Sequence, residues 1–120
     1  IYENGLRKII SEIKTTGAKI ILCTPTVIGE NNGEFKLNNN FKDIDTMEIM
    51  NKDLDAFSDV VRNLSSEFNT DLLDLRKKFK EYISENNDQN MPKGVLTSDG
   101  VHLNNEGNKL IADEMIKFLN

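Results

Sequence analysis

The sequence predicts an α/β protein whose strands form a parallel sheet. Two short and largely apolar runs, residues 19–23 and 71–75, are typical of strands, and Pro25 ends the first of them. Segments with helical periodicity precede and follow each run. Strands that alternate with helices are joined by right-handed crossovers, which make neighbouring strands parallel. Because a parallel sheet is covered on both faces, we expect residues 19–23 to be buried on both faces.

Four segments have the spacing of amphipathic helices. The first runs from Tyr2 and ends near Gly17. The second, from about residue 47 to 69, has an apolar stripe that we expect in the core, formed by Met50, Leu54, Phe57, Val61, Leu64 and Phe68. The third follows the second strand and carries Leu75, Phe79, Tyr82 and Ile83. The last begins at a cap formed by Asn104 or Asn105, and its apolar side comprises Leu110, Ile111, Met115, Phe118 and Leu119.

A long polar segment, residues 27–45, separates the first strand from the second helix. It is rich in Asn and Gly and is too long to be a simple connector, so we predict a loop with a structural or functional role. Its apolar members are Phe35, Leu37 and Phe41. They either hold the loop against the protein or line a pocket for an acyl or alcohol group.

Composition excludes several classes of function. The 120 residues are 38% hydrophobic and 29% charged, as in ordinary globular proteins. The net charge of −5 argues against nucleic acid as a partner, because phosphate binding needs clustered Lys and Arg. The short basic run Arg76, Lys77 and Lys78 is diluted by Glu81 and Glu85, which predicts a solvated helix face. No apolar run is long enough to predict a membrane span.

The sequence predicts neither a disulfide within the chain nor a metal or other cofactor. Cys23 is the only cysteine and His102 the only histidine, so no conventional zinc site can be assembled from them. Cys23 lies within an apolar strand pattern. We therefore expect a buried, inert thiol rather than a nucleophile.

The lone histidine lies in the most informative segment of the chain. Asp99 precedes His102 by three residues, Gly100 lies between them, and a helix follows at once. Imidazole titrates near neutrality, and a neighbouring carboxylate can hold its tautomer and stabilise its protonated form. From spacing alone, this segment is either a solvated turn with an incidental histidine or a compact acid–base pair.

Three segments resemble the SGNH (GDSL-type) esterases and acylhydrolases. The stretch Ser98–Leu103, with Gly107 beyond it, resembles their last conserved block, Asp-x-x-His followed by an apolar residue and a helix with an early glycine. Residues 18–26 resemble the strand that ends in Thr-Pro, and residues 71–75 resemble the strand before the last two helices. The resemblance implies a flavodoxin-like, three-layer α/β/α fold with a five-stranded parallel sheet, in which these strands are the fourth and fifth.

The same resemblance implies hydrolysis of a carboxylic ester by a serine-dependent mechanism. His102 would be the general base that deprotonates the serine, and Asp99 would hold the imidazole ring. The expected substrate is a small ester: an acyl ester, an acetylated sugar or a lipid ester. The alternative from another class is a non-catalytic flavodoxin-like binding or interaction domain that lacks a nucleophile.

The family's Gly-Asp-Ser block, and the two blocks that supply its glycine and asparagine oxyanion donors, do not occur in this sequence. Two strands are also too few for a stable parallel sheet. We therefore expect residues 1–120 to be the C-terminal portion of a single SGNH hydrolase domain. The N-terminal portion with the nucleophile would be supplied by a missing segment or by a complementary chain.

Other polar residues near the predicted site have a structural and a functional interpretation. Ser98 is better explained as a turn-capping hydroxyl than as the nucleophile, because no oxyanion donors are identifiable near it. Thr24 and Thr26 either border the substrate or cap the end of the first strand. Gly107 either allows the last helix to pack closely on the sheet or is a surface position.

Overall fold

The protein is an α/β structure with a parallel sheet, as the sequence predicts. The computed structural model describes residues 1–31 and 42–119, and for residues 42–48 it describes the backbone alone. The element order is α1 (Tyr2–Lys14), β1 (Ile21–Cys23), α2 (Lys42–Phe68), β2 (Asp71–Leu73), α3 (Leu75–Asn86) and α4 (Asn105–Ile116). In this part of the chain, β1 and β2 form one parallel pair, with Leu22 opposite Leu72.

The predicted elements are all present, with shifted ends. Both strands are shorter than predicted, although hydrogen bonds from Asp71 N to Ile20 O (3.2 Å) and from Thr24 N to Leu73 O (3.1 Å) extend the pairing beyond β1. Helix α2 begins at Lys42, earlier than predicted. The prediction began later because the first turns of this helix are polar and carry little apolar periodicity. The loop predicted over 27–45 is therefore helical from residue 42, and Phe35, Leu37 and Phe41 lie outside the described residues.

The main core lies between β2, α3 and the segment that precedes α4. Its buried members are Val27, Leu73, Leu75, Phe79, Ile83 and Leu96, and Leu103, Leu110, Ile111 and Phe118 pack against them. Val27 comes from the segment after β1, and Leu96 lies three residues before Asp99. Burial of these side chains therefore anchors the Asp99–His102 segment close to the chain that leaves the carboxyl end of β1.

The expectations about apolar burial are wrong for β1 and for Cys23, and they are confirmed only in part for α2. Ile21 and Leu22 are half-buried and Cys23 is exposed, so β1 is not buried on both faces by the described residues. The cause is that β2 and α2 cover only part of this strand. Partial desolvation of the sulfur by neighbouring atoms nevertheless raises the pKa of the exposed Cys23 thiol, which disfavours the thiolate. In the stripe of α2, Val61 and Leu64 are buried as expected, whereas Met50 and Phe57 are exposed.

Arg76 is a further correction, because the basic run predicts a solvated helix face whereas this residue is 1% exposed. Its guanidinium donates to Asp55 Oδ1 at 2.5 Å, to the Thr26 carbonyl at 2.7 Å and to the Asn51 carbonyl at 3.0 Å. A buried charge is tolerated when its hydrogen bonds are satisfied in this way. Arg76 therefore joins the start of α3 to α2 and to the segment that follows β1.

Candidate active site

The Asp99–His102 turn is closed at its base and tightly bent. Thr97 and Leu103 form an isolated antiparallel bridge, and Ser98 N donates to His102 O at 2.8 Å. Gly100 lies at the tip with φ of +96°, a left-handed conformation that side-chain-bearing residues rarely adopt. Gly100 thus supplies the backbone freedom that the bend requires, and the bend turns residue 102 back toward residue 99.

The structure brings the side chains of Asp99 and His102 together. His102 Nδ1 lies 2.6 Å from Asp99 Oδ2. The other carboxylate oxygen, Asp99 Oδ1, accepts hydrogen bonds from the backbone N–H groups of Val101 (2.9 Å) and His102 (2.7 Å). The carboxylate is held by its own turn, so it offers the imidazole a fixed acceptor rather than a mobile one.

The hydrogen bonds of the turn favour the charged form of the Asp99 carboxylate. The hydrogen bond from the His102 ring, followed by those from the backbone N–H groups of His102 and Val101, holds the pKa of Asp99 well below its usual range. A carboxylate next to Nδ1 favours the tautomer with its proton on Nδ1, which leaves Nε2 as the basic nitrogen. Nε2 makes no hydrogen bond within residues 1–31 and 42–119, and the His102 side chain is 80% exposed. The pair can therefore take a proton from a group that approaches Nε2.

Glu30 holds the chain that leads into the turn, and sequence reasoning missed it. It is 2% exposed and accepts hydrogen bonds from Val95 N (2.7 Å), Leu96 N (2.9 Å) and Thr97 N (2.5 Å). The Thr97 hydroxyl donates to the same carboxylate at 2.5 Å. In the sequence, Glu30 is one acid in a polar loop, and its spacing gives no signal that distinguishes it from exposed acids.

The start of α4 fixes the other end of the turn. Asn104 is the N-cap, and its Oδ1 accepts from Gly107 N at 2.9 Å, so the first of the two predicted caps is correct. Asn104 N also donates to Leu96 O at 3.0 Å. A Cβ atom at Gly107 would lie 2.2 Å from Leu96 O, so the close packing predicted at Gly107 exists. It is made against the backbone that precedes the turn, however, and not against the sheet.

The hydroxyl groups of two other candidates, Ser98 and Thr24, are hydrogen-bonded within the folded chain. Ser98 Oγ donates to His102 O at 3.3 Å, inside the turn. Thr24 is 2% exposed, donates to Asp74 Oδ1 at 3.1 Å and accepts from Arg76 N at 2.9 Å. It therefore caps the strand end and the start of α3. Thr26 is half-buried, and its carbonyl accepts from Arg76.

The described part of the chain contains no group of three or more His, Cys, Asp or Glu side chains arranged to hold a metal ion. Within those same residues, no helix combines the length and apolarity that crossing a bilayer requires.

Comparison with known proteins identifies related sequences and folds. The family model for GDSL-like lipases and acylhydrolases matches residues 1–115. An acetyl xylan esterase of known structure is 33% identical, with a TM-score of 0.81 over 98% of this chain and 54% of that chain. A mutant of an acetyl-xylooligosaccharide esterase from Geobacillus is 23% identical, with a TM-score of 0.68 over 96% of this chain and 44% of that chain, a likeness of fold. No curated protein sequence matches. The chain thus spans about half the length of the structures that it resembles.

Proposed function

This chain belongs to the GDSL-like lipase/acylhydrolase family, and we propose that it supplies the aspartate and histidine of a serine esterase site. The observation that carries the proposal is the 2.6 Å contact between His102 Nδ1 and Asp99 Oδ2, which leaves Nε2 open. A solvated turn with an incidental histidine would not need a carboxylate fixed by two backbone N–H groups against the ring. The pair has the arrangement that general-base catalysis uses.

Each member of the pair has one role in the proposed reaction. His102 Nε2 takes the proton of the serine hydroxyl as its oxygen attacks the ester carbonyl, and later gives that proton to the leaving alcohol. Asp99 accepts the hydrogen bond of Nδ1–H, holds the ring and stabilises the imidazolium that forms. A water molecule, deprotonated by the same Nε2, then attacks the acyl-serine, and Nε2 returns that proton to the serine oxygen as the acid is released.

We propose that the nucleophile and the oxyanion donors lie on a polypeptide segment outside residues 1–120, as part of the same SGNH domain. None of the serines at 11, 58, 65, 66, 84 and 98, all of which the structure describes, follows a Gly-Asp pair or is hydrogen-bonded to the His102 ring. The length of the similar structures supports this arrangement, because this chain covers 54% of the acetyl xylan esterase. The segment is contributed either by the same polypeptide or by a complementary chain.

For the substrate, we propose an ester with a short acyl group, and acetylated xylan is the first natural candidate. The support is the 33% identity to an acetyl xylan esterase over 98% of this chain.

The test is the turnover of a short activated ester, such as p-nitrophenyl acetate, by the full-length protein. We expect His102→Ala to lower kcat by roughly three orders of magnitude or more, as loss of a triad base does. Asp99→Asn should lower kcat by a comparable or smaller factor, because Asp99 orients the ring and transfers no proton. Ser98→Ala is the matched control in the same turn and should retain most of the activity.

The contrary outcome is equally specific. A folded His102→Ala protein with the turnover of the wild type would rule out the pair as the base and would favour the non-catalytic binding domain. A loss of activity in Ser98→Ala as large as that in His102→Ala would instead place the nucleophile within the turn.

A further inference from the structure

The backbone around the Asp99–His102 turn is held by a group of residues that the proposed mechanism does not use. We call the group formed by Gly29, Glu30 and Thr97 the Glu30 clasp. Gly29 and Glu30 follow β1, whereas Thr97 opens the turn, so the clasp joins two parts of the chain that are 67 residues apart in sequence. Glu30 and Thr97 are both almost fully buried, at 2% and 0% exposure.

Within the Glu30 clasp, Glu30 binds the backbone of the residues that lead into the turn. Three consecutive backbone N–H groups, those of Val95, Leu96 and Thr97, point at one carboxylate. These groups are not in a helix or a sheet, and buried N–H groups without a partner are costly. A carboxylate accepts several hydrogen bonds at once, and charge-assisted bonds of this kind are stronger than neutral ones. Glu30 therefore sets the path of the chain that leads to Asp99.

The clasp also reaches the tip of the turn. The Thr97 hydroxyl donates to Glu30 Oε1 at 2.5 Å and accepts from Gly100 N at 2.9 Å. The Gly100 carbonyl accepts from Gly29 N at 2.6 Å. Both backbone polar groups of Gly100 are thus held, and Gly100 is the residue next to Asp99. A chain of hydrogen bonds therefore runs from the buried carboxylate to the residue that sets the bend between the two members of the pair.

We propose that Glu30 is a positioning residue for the His102 base, acting through Thr97 and Gly100 to hold Asp99 and the imidazole in their productive geometry. The proposal rests on the proposed function of the pair. The Glu30 carboxylate is buried, and its hydrogen-bond partners are Val95, Leu96 and Thr97 rather than the His102 ring. It should therefore affect the geometry of catalysis rather than substrate binding, since misplacement of a catalytic group by about 1 Å can cost about a hundredfold in rate.

The variants are chosen to loosen the clasp with little change in volume. Glu30→Gln keeps the shape but places an NH2 group where a carboxylate oxygen now accepts from a backbone N–H. Thr97→Val removes the hydroxyl that links Glu30 to Gly100, and Thr97→Ser retains it. Glu85→Gln, at an exposed acid on α3, is the control for loss of one negative charge.

We expect Glu30→Gln and Thr97→Val to lower kcat roughly 10- to 100-fold with little change in KM. Thr97→Ser and Glu85→Gln should stay close to the wild type. The kinetic constants are referred to the concentration of folded protein, measured by near-UV circular dichroism. A second readout is the proton NMR resonance of His102 Nδ1–H, which reports the hydrogen bond to Asp99 without any substrate. This resonance should shift or broaden in the first two variants only.

The result that overturns the proposal is a folded Glu30→Gln or Thr97→Val protein with unchanged kcat and an unchanged Nδ1–H resonance. A lower melting temperature with both readouts intact overturns it as well, because it reduces Glu30 to a folding role. If Glu30→Gln does not fold, Thr97→Val decides by the same two readouts. Failure of the proposed function can be told apart from failure of this inference, because it would appear as full turnover in His102→Ala. In that case the Nδ1–H resonance would still show whether Glu30 and Thr97 position the His102 ring.

Discussion

Substitution of Gly107 by alanine should destabilise the protein, although alanine is the better helix former. Gly107 lies in the first turn of α4, where its N–H is bound by the Asn104 cap at 2.9 Å. An added Cβ would lie 2.2 Å from Leu96 O and 3.2 Å from the Leu96 carbonyl carbon. Ordinary contacts of a Cβ begin near 3.4 Å, so the helix and the Leu96 backbone must separate by roughly 1 Å.

The magnitude follows from two opposing effects. Replacing glycine by alanine within a helix contributes about 0.8–1 kcal/mol to stability. Overpacking against atoms that cannot rotate away costs about 1–3 kcal/mol and sometimes more. The neighbour here is backbone, and its displacement also disturbs the hydrogen bonds of Leu96 O with Asn104 N and of Leu96 N with Glu30. The steric effect therefore exceeds the gain in helix propensity, and after subtraction of that gain we expect Gly107→Ala to lower the free energy of unfolding by up to about 2 kcal/mol.

The assay is equilibrium unfolding of the full-length protein in urea, followed by circular dichroism. Gly5→Ala is the matched control, because Gly5 lies in α1 and a Cβ there meets nothing within 4 Å. This control should raise the free energy of unfolding by about 0.8–1 kcal/mol. If Gly107→Ala were as stabilising as Gly5→Ala, helix α4 would not approach the Leu96 backbone as closely as described, and our account of how the turn is held would fail.

Two further predictions concern acid stability and the chain on its own. The hydrogen bond from buried Arg76 lowers the pKa of Asp55 from 3.8 to about 2, against partial burial and with help from Lys80. A folded-state pKa below the unfolded value contributes stability at higher pH, and this stability is lost as the pH falls from about 4 to 2. Asp55→Asn should therefore flatten this part of the curve of unfolding free energy against pH, measured by urea unfolding at a series of pH values. Residues 1–120 expressed alone should aggregate or associate, because β1 is only partly covered and Ile9 and Met115 are exposed. A chain that sediments as a monomer and unfolds cooperatively on heating, followed by circular dichroism, would contradict this prediction.

The parts of the fold with strong local signals were predictable. The periodicity of α1, of the second half of α2 and of α3 comes from apolar residues that recur on one face. The Asn104 cap is a hydrogen bond between residues of one helical turn. The contact between Asp99 and His102 likewise depends on a single turn of the chain. Such features depend on neighbours along the chain, which the sequence displays directly.

The features that were not predictable depend on partners far along the chain. Glu30 is buried because residues 95–97 present three N–H groups to it, and Arg76 is buried because Asp55, Asn51 and Thr26 surround its guanidinium. In the sequence each is one charged residue among many. For Cys23 the error is in the other direction, since it was expected to be buried and is exposed. An apolar run predicts burial but does not identify the elements that cover it. Long-range hydrogen bonds and the covering of strands are therefore the features that the structure adds.

The central claim is that His102, held by Asp99, activates a serine that lies outside residues 1–120. A fluorophosphonate probe tests it most directly, because it reacts with a serine only when a base and an oxyanion site activate that serine. After labelling of the full-length protein, peptide mass spectrometry should find the adduct on one serine outside this chain, and His102→Ala should suppress it. An adduct on Ser98 or another serine of residues 1–120, or labelling that persists in His102→Ala, would contradict the account.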